Sequence, residues 1–254
     1  MASNFIWYEL LTSDPAAAAV YYDAVLGWTA ADSGLPGADY RILSMKGSAI
    51  GGLMRIPEAA AKAGMKPSWL GYIGVANVDK SIASIVAAGG AVHMPAADIP
   101  GVGRIAMVAD PQGASIYIMT PTSAGTSTAF APGTPGHGGW HELHTTDGAA
   151  ALAFYSRQFA WGKSSEMDMG PMGKYYLFNV GGSDMWGGML SDAKAPRPYW
   201  LYYFCVEEID AAQRRVTTNG GKMLMDPQQV PTGEWIIHGR DPQGAMFARV
   251  GPRK

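Results

Sequence analysis

The chain has 254 residues, of which 48% are hydrophobic and 16% charged, and its formal net charge is -2 at pH 7. This balance provides no basic field for nucleic acid, and the single cysteine, Cys205, excludes an internal disulfide and a CxxC zinc site. No apolar run reaches the roughly 18 residues of a membrane span, so we expect a cytoplasmic protein that binds neither membranes nor nucleic acid.

The opening of the chain predicts a strand followed by a helix. We expect the strand over Phe5–Thr12 and the helix over Pro15–Leu26. Asp14 is a typical helix cap, proline suits the first helical position, and Gly27 should end the helix. Short strands are expected next, at 41–45 and 49–54.

The following stretch repeats this plan. A strand is expected at 70–75, a helix at 79–88 before a Gly-Gly pair, and strands at 104–108 and 115–119. The turn DPQG, which begins at Asp110, should join the last two strands, because proline presets a turn and glycine accepts positive φ.

The second half of the chain repeats the first. The segment WYELLTSDP from Trp7 recurs as WHELHTTDG from Trp140, and DPQGA recurs at Asp110 and Asp241. Between the copies lies a stretch rich in Thr, Ser, Gly and Pro, which is typical of a linker. We therefore predict a domain at 1–121, a linker at 122–136 and a second domain at 137–254. A strand, a helix and several strands, repeated four times, favour an α+β fold with helices outside curved sheets.

These motifs resemble a known superfamily. W-x-E-L-x-x-x-D, W-x-x-Y-x-x-V and the closing DPQGA, each present twice, are similar to vicinal-oxygen-chelate proteins, which include glyoxalases, bleomycin-resistance proteins and dioxygenases. The match resembles a two-domain actinobacterial branch of hydroxylases and glyoxalase-like antigens. The resemblance implies four βαβββ modules that form two tandem glyoxalase-like domains, with curled mixed sheets around cavities where some relatives hold a divalent ion.

The chain departs from that superfamily at the metal-ligand positions. Divalent ions require nitrogen, oxygen or sulfur donors such as His, Glu or Asp. The resemblance places the usual ligands at Trp7 and Trp140, at Leu70 and Leu201, and at Tyr117 and Ala248. We therefore expect both metal sites to be lost and no cofactor to be bound.

Strand alternation predicts which side chains face the cavity, because residues two apart share a face. In the second copy Trp140, Glu142 and His144 share one face, and the resemblance adds His238. A carboxylate and two imidazoles could perform acid–base chemistry, or could hold a divalent metal at a shifted position. The candidate catalytic residues are Glu142, His144 and His238, and the candidate substrate-binding residues are Trp7, Glu9, Met107, Tyr117, Trp140, Trp186 and Ile236.

Each of these residues also has a structural interpretation. Glu9 and Glu142 occupy equal positions and could both accept structural hydrogen bonds, and single histidines are often hydrogen-bonded fillers. His137 and His141 are expected to face solvent.

Three functions follow from these observations. The leading hypothesis is metal-independent binding of a small aromatic or carbonyl molecule in a cavity. The alternatives are a lyase, isomerase or hydroxylase that uses Glu142 with a histidine, and a non-catalytic interaction protein. The chain could act as a monomer or a homodimer, since duplication reproduces the pairing of two single domains.

Overall fold

The first half of the chain forms two modules, each a strand, a helix and further strands. The computed structural model describes residues 3–35, 37–192 and 197–254. The first module contains β1 (Phe5–Thr12), α1 (Pro15–Leu26), β2 (Thr29–Asp32), β3 (Tyr40–Met45) and β4 (Ser48–Arg55), followed by the short α2 (Glu58–Lys62). The second contains β5 (Ser68–Gly74), α3 (Val78–Ala87), β6 (Ala91–Ile99), β7 (Gly103–Ala109) and β8 (Ser115–Pro121).

The second half repeats the same order of elements. The third module contains β9 (Gly138–Thr145), α4 (Gly148–Phe159), β10 (Gly162–Asp168), a 3-10 turn (Gly170–Met172), β11 (Lys174–Asn179) and β12 (Met185–Ser191). The fourth contains β13 (Tyr199–Cys205), α5 (Ile209–Thr218), β14 (Lys222–Met223), β15 (Gln228–Gln229), β16 (Trp235–Arg240) and β17 (Met246–Gly251). The predicted α+β plan of four modules is confirmed.

The helix ends follow from local chemistry. The Asp14 carboxylate accepts the backbone N–H groups of Ala16 and Ala17, both at 3.1 Å, and so caps α1. Gly27 ends α1 with φ of 73°, as predicted. At the same place in the second copy, α4 ends at Ala160 with φ of 58°, a conformation that costs energy for a residue with a Cβ.

Each module forms a four-stranded group in which the first and last strands run parallel. The orders are β2-β3-β4-β1 and β6-β7-β8-β5 in the first copy. In the second copy they are β10-β11-β12-β9 and β14-β16-β17-β13, with β15 also paired to β16. The neighbouring pairs inside each group are otherwise antiparallel, so the sheets are mixed.

The chain divides into two compact units that do not follow the sequence halves. Unit 1 contains Met1–Ile6, Gly71–Thr126 and His141–Leu201, and hence mainly the second and third modules. Unit 2 contains Trp7–Leu70, Ser127–Trp140 and Tyr202–Lys254, and hence mainly the first and fourth. Each unit therefore combines one module from each copy, whereas the predicted boundaries at 121 and 137 follow the repeat and stay a prediction.

A buried relay of hydrogen bonds organises the core of unit 1. The Trp200 indole N–H donates to the Tyr155 hydroxyl at 3.1 Å, and that hydroxyl donates to the Asp110 carboxylate at 3.3 Å. Trp161 stacks on Phe178 beside the relay, with ring centroids 4.5 Å apart. The DPQG turn of the first copy thus supplies a carboxylate, Asp110, that binds helix α4 of the second copy through Tyr155.

Unit 2 contains the same relay. The Trp69 indole N–H donates to the Tyr22 hydroxyl at 2.9 Å, and Tyr22 donates to the Asp241 carboxylate at 3.1 Å. Because Tyr22 lies on α1 and Asp241 in the second DPQG turn, this relay also joins an element of one copy to an element of the other.

Two histidines that the sequence placed in solvent are buried, so that prediction is wrong. His141 is fully buried in unit 1, stacks on Phe5 with centroids 3.8 Å apart, and places Nδ1 2.9 Å from the Trp186 carbonyl oxygen. Burial lowers the pKa of His141 to about 3, and the hydrogen bond opposes that shift. His137 in unit 2 is also buried, with Nδ1 2.7 Å from the Thr128 carbonyl oxygen. Alternation predicted that His141 lies on the face opposite Glu142, but this second face packs into the core.

The end of the predicted linker is ordered within unit 2. Gly136 donates its backbone N–H to the Cys205 carbonyl at 2.9 Å, and Cys205 donates to the His137 carbonyl at 2.8 Å. None of the helices in the described ranges combines the length and apolar character needed to cross a membrane.

Candidate functional site

The two candidate catalytic residues of β9 lie side by side in unit 1. Glu142 and His144 are two residues apart on the strand, so both side chains project from the same face. Glu142 Oε1 lies 2.8 Å from His144 Nε2. The structure therefore brings these two predicted site residues into direct contact.

A second carboxylate engages the other nitrogen of the same imidazole. Asp192, which follows β12, places Oδ2 3.1 Å from His144 Nδ1. A neutral imidazole has only one N–H, so the doubly protonated ring is the form that donates to two carboxylates at once. Burial by itself would lower the pKa of His144, but the hydrogen bonds and charges of Glu142 and Asp192 outweigh it and raise that pKa above 6.5. We call these residues the Glu142–His144–Asp192 cluster.

A tyrosine from β11 completes the polar network. The Tyr175 hydroxyl donates to Glu142 Oε2 at 2.9 Å, so both oxygens of that carboxylate accept hydrogen bonds. The Tyr175 ring reaches Glu142 by crossing β12 at Gly188, where any Cβ would overlap the ring. A glycine is therefore needed at this position of the repeated Gly-Gly motif, because only glycine leaves room for the tyrosine ring.

Aromatic side chains surround the cluster. The Tyr199 ring lies parallel to the His144 imidazole, with centroids 4.6 Å apart and an interplanar angle of 6°. Trp186 is half-buried on β12, at the point where the register between β11 and β12 shifts. The side chains of Glu142, His144 and Asp192 are 15%, 11% and 25% exposed, so the cluster is shielded but still open to solvent.

The first copy lacks this polar cluster. Three residues of this site differ from their equivalents in the first copy: two are polar in place of aliphatic residues, and one is an aromatic ring in place of a serine. His144 replaces Leu11, Asp192 replaces Ile56 and Tyr199 replaces Ser68, as equal strand positions and equal backbone hydrogen bonds show.

The sequence reasoning missed Asp192, Tyr175 and Tyr199. A residue-by-residue comparison of the copies would have shown that Asp192 and Tyr199, like His144, differ from their first-copy equivalents. Tyr175 has its own signal, because a tyrosine stands at the same position of β3 as Tyr40.

Three of the candidate substrate-binding residues, Trp7, Glu9 and Trp140, lie in unit 2. The Trp7 indole N–H donates to the Tyr40 hydroxyl at 2.8 Å. The Tyr40 ring crosses β4 at Gly52, as its equivalent does in the second copy. Glu9 is buried and Trp140 is half-buried, and both also belong to unit 2.

His238 lies in unit 2, whereas Glu142 and His144 lie in unit 1. His238 Nε2 is 2.8 Å from the Tyr203 hydroxyl oxygen. The convergence of all three candidate catalytic residues on one ligand therefore stays a prediction. Ile236 is half-buried on the same strand as His238.

Met107 and Tyr117 lie in unit 1 and are both buried. Tyr117 stacks on Tyr72 with ring centroids 4.3 Å apart. At the position of Tyr117 the second copy has Ala248, which pairs with His238 across the sheet. Where the first copy has the large Tyr117 ring, the second copy thus has the small Ala248 beside His238.

The positions that hold metal in related proteins do not fit a divalent ion in this chain. Leu70, Leu201 and Ala248 have no donor atom, the Trp7 indole N–H is a hydrogen-bond donor, and the Tyr117 ring is stacked. A shifted site at His144 would have to displace a carboxylate from a ring nitrogen. Across residues 3–35, 37–192 and 197–254, no three or more His, Cys, Asp or Glu side chains form a group suited to a metal ion.

Comparisons with known proteins agree with the plan of two repeated copies. The model of the Glyoxalase/Bleomycin resistance protein/Dioxygenase superfamily matches residues 4–118 and again 134–248. A Mycobacterium tuberculosis protein named "Putative glyoxylase CFP32" is 31% identical over 249 residues, which cover 97% of this chain and 94% of that protein. The anthracycline biosynthesis protein DauV of Streptomyces sp. strain C5 is 30% identical, with coverage of 98% and 93%.

Solved structures share the fold at low identity. The Mn(II)-bound glyoxalase from Novosphingobium aromaticivorans has a TM-score of 0.70 and 15% identity, and the match covers 100% of this chain and 83% of that one. The 2,3-dioxygenase LapB from Pseudomonas sp. KL28 has a TM-score of 0.69 and 11% identity, with coverage of 100% and 94%. At such identities the likeness concerns the fold alone.

Proposed function

This chain belongs to the Glyoxalase/Bleomycin resistance protein/Dioxygenase superfamily, and on that premise we propose that it binds a small aromatic or carbonyl molecule without a resident metal. The binding surface is the face of β9 and β12 in unit 1 that carries the Glu142–His144–Asp192 cluster. The observation that supports this proposal best is that both His144 ring nitrogens already contact carboxylates. The cluster therefore works as a preorganised polar wall and not as a set of metal ligands.

The surroundings suit a flat organic ligand. Small-molecule sites combine aromatic walls with a few fixed polar groups, and Tyr199 supplies a ring beside the cluster. Because Tyr175 and His144 hold Glu142 in place, the polar groups are ordered before a ligand arrives, which reduces the entropic cost of binding.

The names of the relatives support the same ligand class. One relative is named as a glyoxylase and another as an anthracycline biosynthesis protein. Both names concern small organic molecules, which agrees with a cavity protein that recognises a carbonyl or an aromatic system.

Calorimetric titration of the full chain with 2-acetylnaphthalene, a neutral aromatic ketone, tests this proposal. We expect binding that is unchanged by EDTA and weakened at least about tenfold in His144→Leu/Asp192→Ile, which loses the hydrogen-bonding wall. Glu166→Gln is the matched control, because it removes a carboxylate of unit 1 that pairs only with surface lysines in the described contacts. Binding that requires a stoichiometric divalent ion, or no binding at all, would contradict the proposal.

A second candidate function is an enzyme that uses the same cluster. It is favoured by the continuous hydrogen-bonded series from Tyr175 through Glu142 and His144 to Asp192. In this case Glu142 takes a proton from the carbon beside a substrate carbonyl and returns it to the former carbonyl carbon, while the imidazole stabilises the charge that develops on oxygen. Glu142→Gln should then abolish isomerisation of the hemithioacetal formed from a 2-oxoaldehyde and a thiol, while circular dichroism stays unchanged. Equal turnover in this variant would eliminate Glu142 as the base.

A further inference from the structure

Unit 2 contains a buried arginine that the proposed function does not use. Arg249 lies on β17 and is 0% exposed. Ile118 stands at the same position of β8 in the first copy, so the fold does not require a charged residue there. A lone buried cation is costly, and it is retained only where something compensates its charge.

The hydrogen-bond donors of Arg249 are only partly satisfied by protein. Its Nη1 donates to the Ala248 carbonyl oxygen at 3.1 Å. Its Nε and Nη2 are buried and have no hydrogen-bond partner within the described part of the chain. These two nitrogens form one edge of the planar guanidinium, the edge that binds anions through two parallel N–H groups.

The neighbours of Arg249 are aromatic rings. The guanidinium carbon lies 4.0 Å from the Phe247 ring centroid and 5.7 Å from that of Phe204. Rings attract a cation through their π faces but accept no strong hydrogen bond from its N–H edge. Burial lowers the pKa of Arg249 to about 10, so the side chain still carries its charge near neutral pH.

The carboxylate of the unit 2 relay, Asp241, already accepts three hydrogen bonds. Asp241 accepts the Tyr22 hydroxyl at 3.1 Å, the Gln243 N–H at 3.0 Å and the Ala245 N–H at 2.8 Å. No carboxylate of residues 3–35, 37–192 and 197–254 forms an ion pair with Arg249. The Nε/Nη2 edge of Arg249 is therefore not bound by a protein carboxylate within these ranges.

A second buried donor lies close to the same ring. The Tyr21 hydroxyl has no hydrogen-bond partner among the described residues, and its ring centroid is 6.3 Å from that of Phe247. Burial raises the pKa of Tyr21 to about 12, and the charge of Arg249 opposes this rise, which places the two groups within electrostatic reach.

We propose that the Nε/Nη2 edge of Arg249, together with the Tyr21 hydroxyl, is a buried site for a small monovalent anion such as chloride. Three hydrogen-bond donors suit a monatomic anion, which accepts from several directions. An ordered water would satisfy N–H groups but would leave the positive charge uncompensated. The site is independent of the surface proposed for the organic ligand, since it lies in unit 2.

Thermal unfolding of the full chain in chloride, bromide or isethionate salts at equal ionic strength tests this site. A specific site predicts stabilisation by chloride and bromide that grows with the logarithm of their concentration, and none by the larger isethionate. Above the dissociation constant, each tenfold rise in chloride should reduce the unfolding equilibrium constant about tenfold. Arg249→Ile, which copies Ile118 of the first copy, should abolish this dependence, and Tyr21→Phe should weaken it.

Bromide anomalous scattering from crystals of the wild-type chain keeps the proposal testable if Arg249→Ile does not fold. We expect one anomalous peak beside the Nε/Nη2 edge of Arg249. The proposal is overturned by an ordered water only at that position, by equal stabilisation in chloride and isethionate, or by a halide effect that persists unchanged in Arg249→Ile.

Discussion

The coupling between His144 and Asp192 offers a quantitative test of the candidate site. Their side chains are 11% and 25% exposed and their contact is 3.1 Å, so the pair lies between surface and buried ion pairs. Exposed pairs contribute about 0–1 kcal/mol, whereas breaking a buried pair costs about 3–5 kcal/mol. We expect His144→Leu and Asp192→Ile to lower the free energy of unfolding by about 2 kcal/mol each.

The double variant should lose less than the sum of the two single variants. Leu11 and Ile56 occupy the equivalent positions of the first copy, so the same local backbone accommodates an apolar pair. His144→Leu leaves Asp192 without the imidazole, and Asp192→Ile leaves His144 with Glu142 as its one carboxylate partner in the cluster, whereas the double variant removes both members of the His144–Asp192 pair and Glu142 keeps its bond from Tyr175. A double-mutant cycle from urea unfolding at pH 6 should therefore give a coupling of about 1–2 kcal/mol.

The coupling should also depend on pH in one direction only. The pKa of His144 is raised in the folded chain, so its protonation stabilises the fold fully below the unfolded pKa of 6.5. That stabilisation is lost as the pH rises through the higher folded pKa. We expect the coupling at pH 6 to shrink in the alkaline range, with the Glu166→Gln control unaffected. No coupling at pH 6, or a coupling that grows with pH, would refute the cationic assignment.

Four further substitutions test the local structure, each by urea unfolding. Gly188→Ala should destabilise by about 2 kcal/mol, because the new Cβ overlaps the Tyr175 ring, and an unchanged midpoint would contradict that path. Ala160→Gly should stabilise by about 0.5–1 kcal/mol and Gly27→Ala should destabilise by a similar amount, since both positions have positive φ; equal signs would reject this reasoning. Tyr155→Phe should cost about 1–3 kcal/mol, because it removes the hydroxyl that accepts from the buried Trp200 indole and donates to Asp110 Oδ2, and a neutral result would show that the relay is not needed.

Local signals in the sequence were sufficient for the repeat and for most of the elements, but they did not predict α2 or β6. Asp14 caps α1 and Gly27 ends it because these residue types satisfy or permit the backbone geometry of a helix end, wherever the helix is packed. Strand alternation was equally reliable for Glu142 and His144, since a pleated strand always places residues two apart on one face.

Contacts between distant segments could not be read in the same way. Asp192 reaches His144 only because β12 lies parallel to β9, and Tyr199 reaches it from the start of the next module. His141 was misplaced for a related reason. Alternation gave the correct side of the strand, but it could not show that the second side is also covered.

By itself, the sequence determined the duplication, the module plan, the helix ends and the superfamily, because each depends on residues that are close along the chain or recur at fixed spacing. Only the tertiary structure decided that each unit combines modules from both copies, and that His144 is held as a cation between Glu142 and Asp192. The physical reason is that protonation and burial depend on which groups come within a few ångströms in space. That proximity is set by strand pairing and packing across the whole chain.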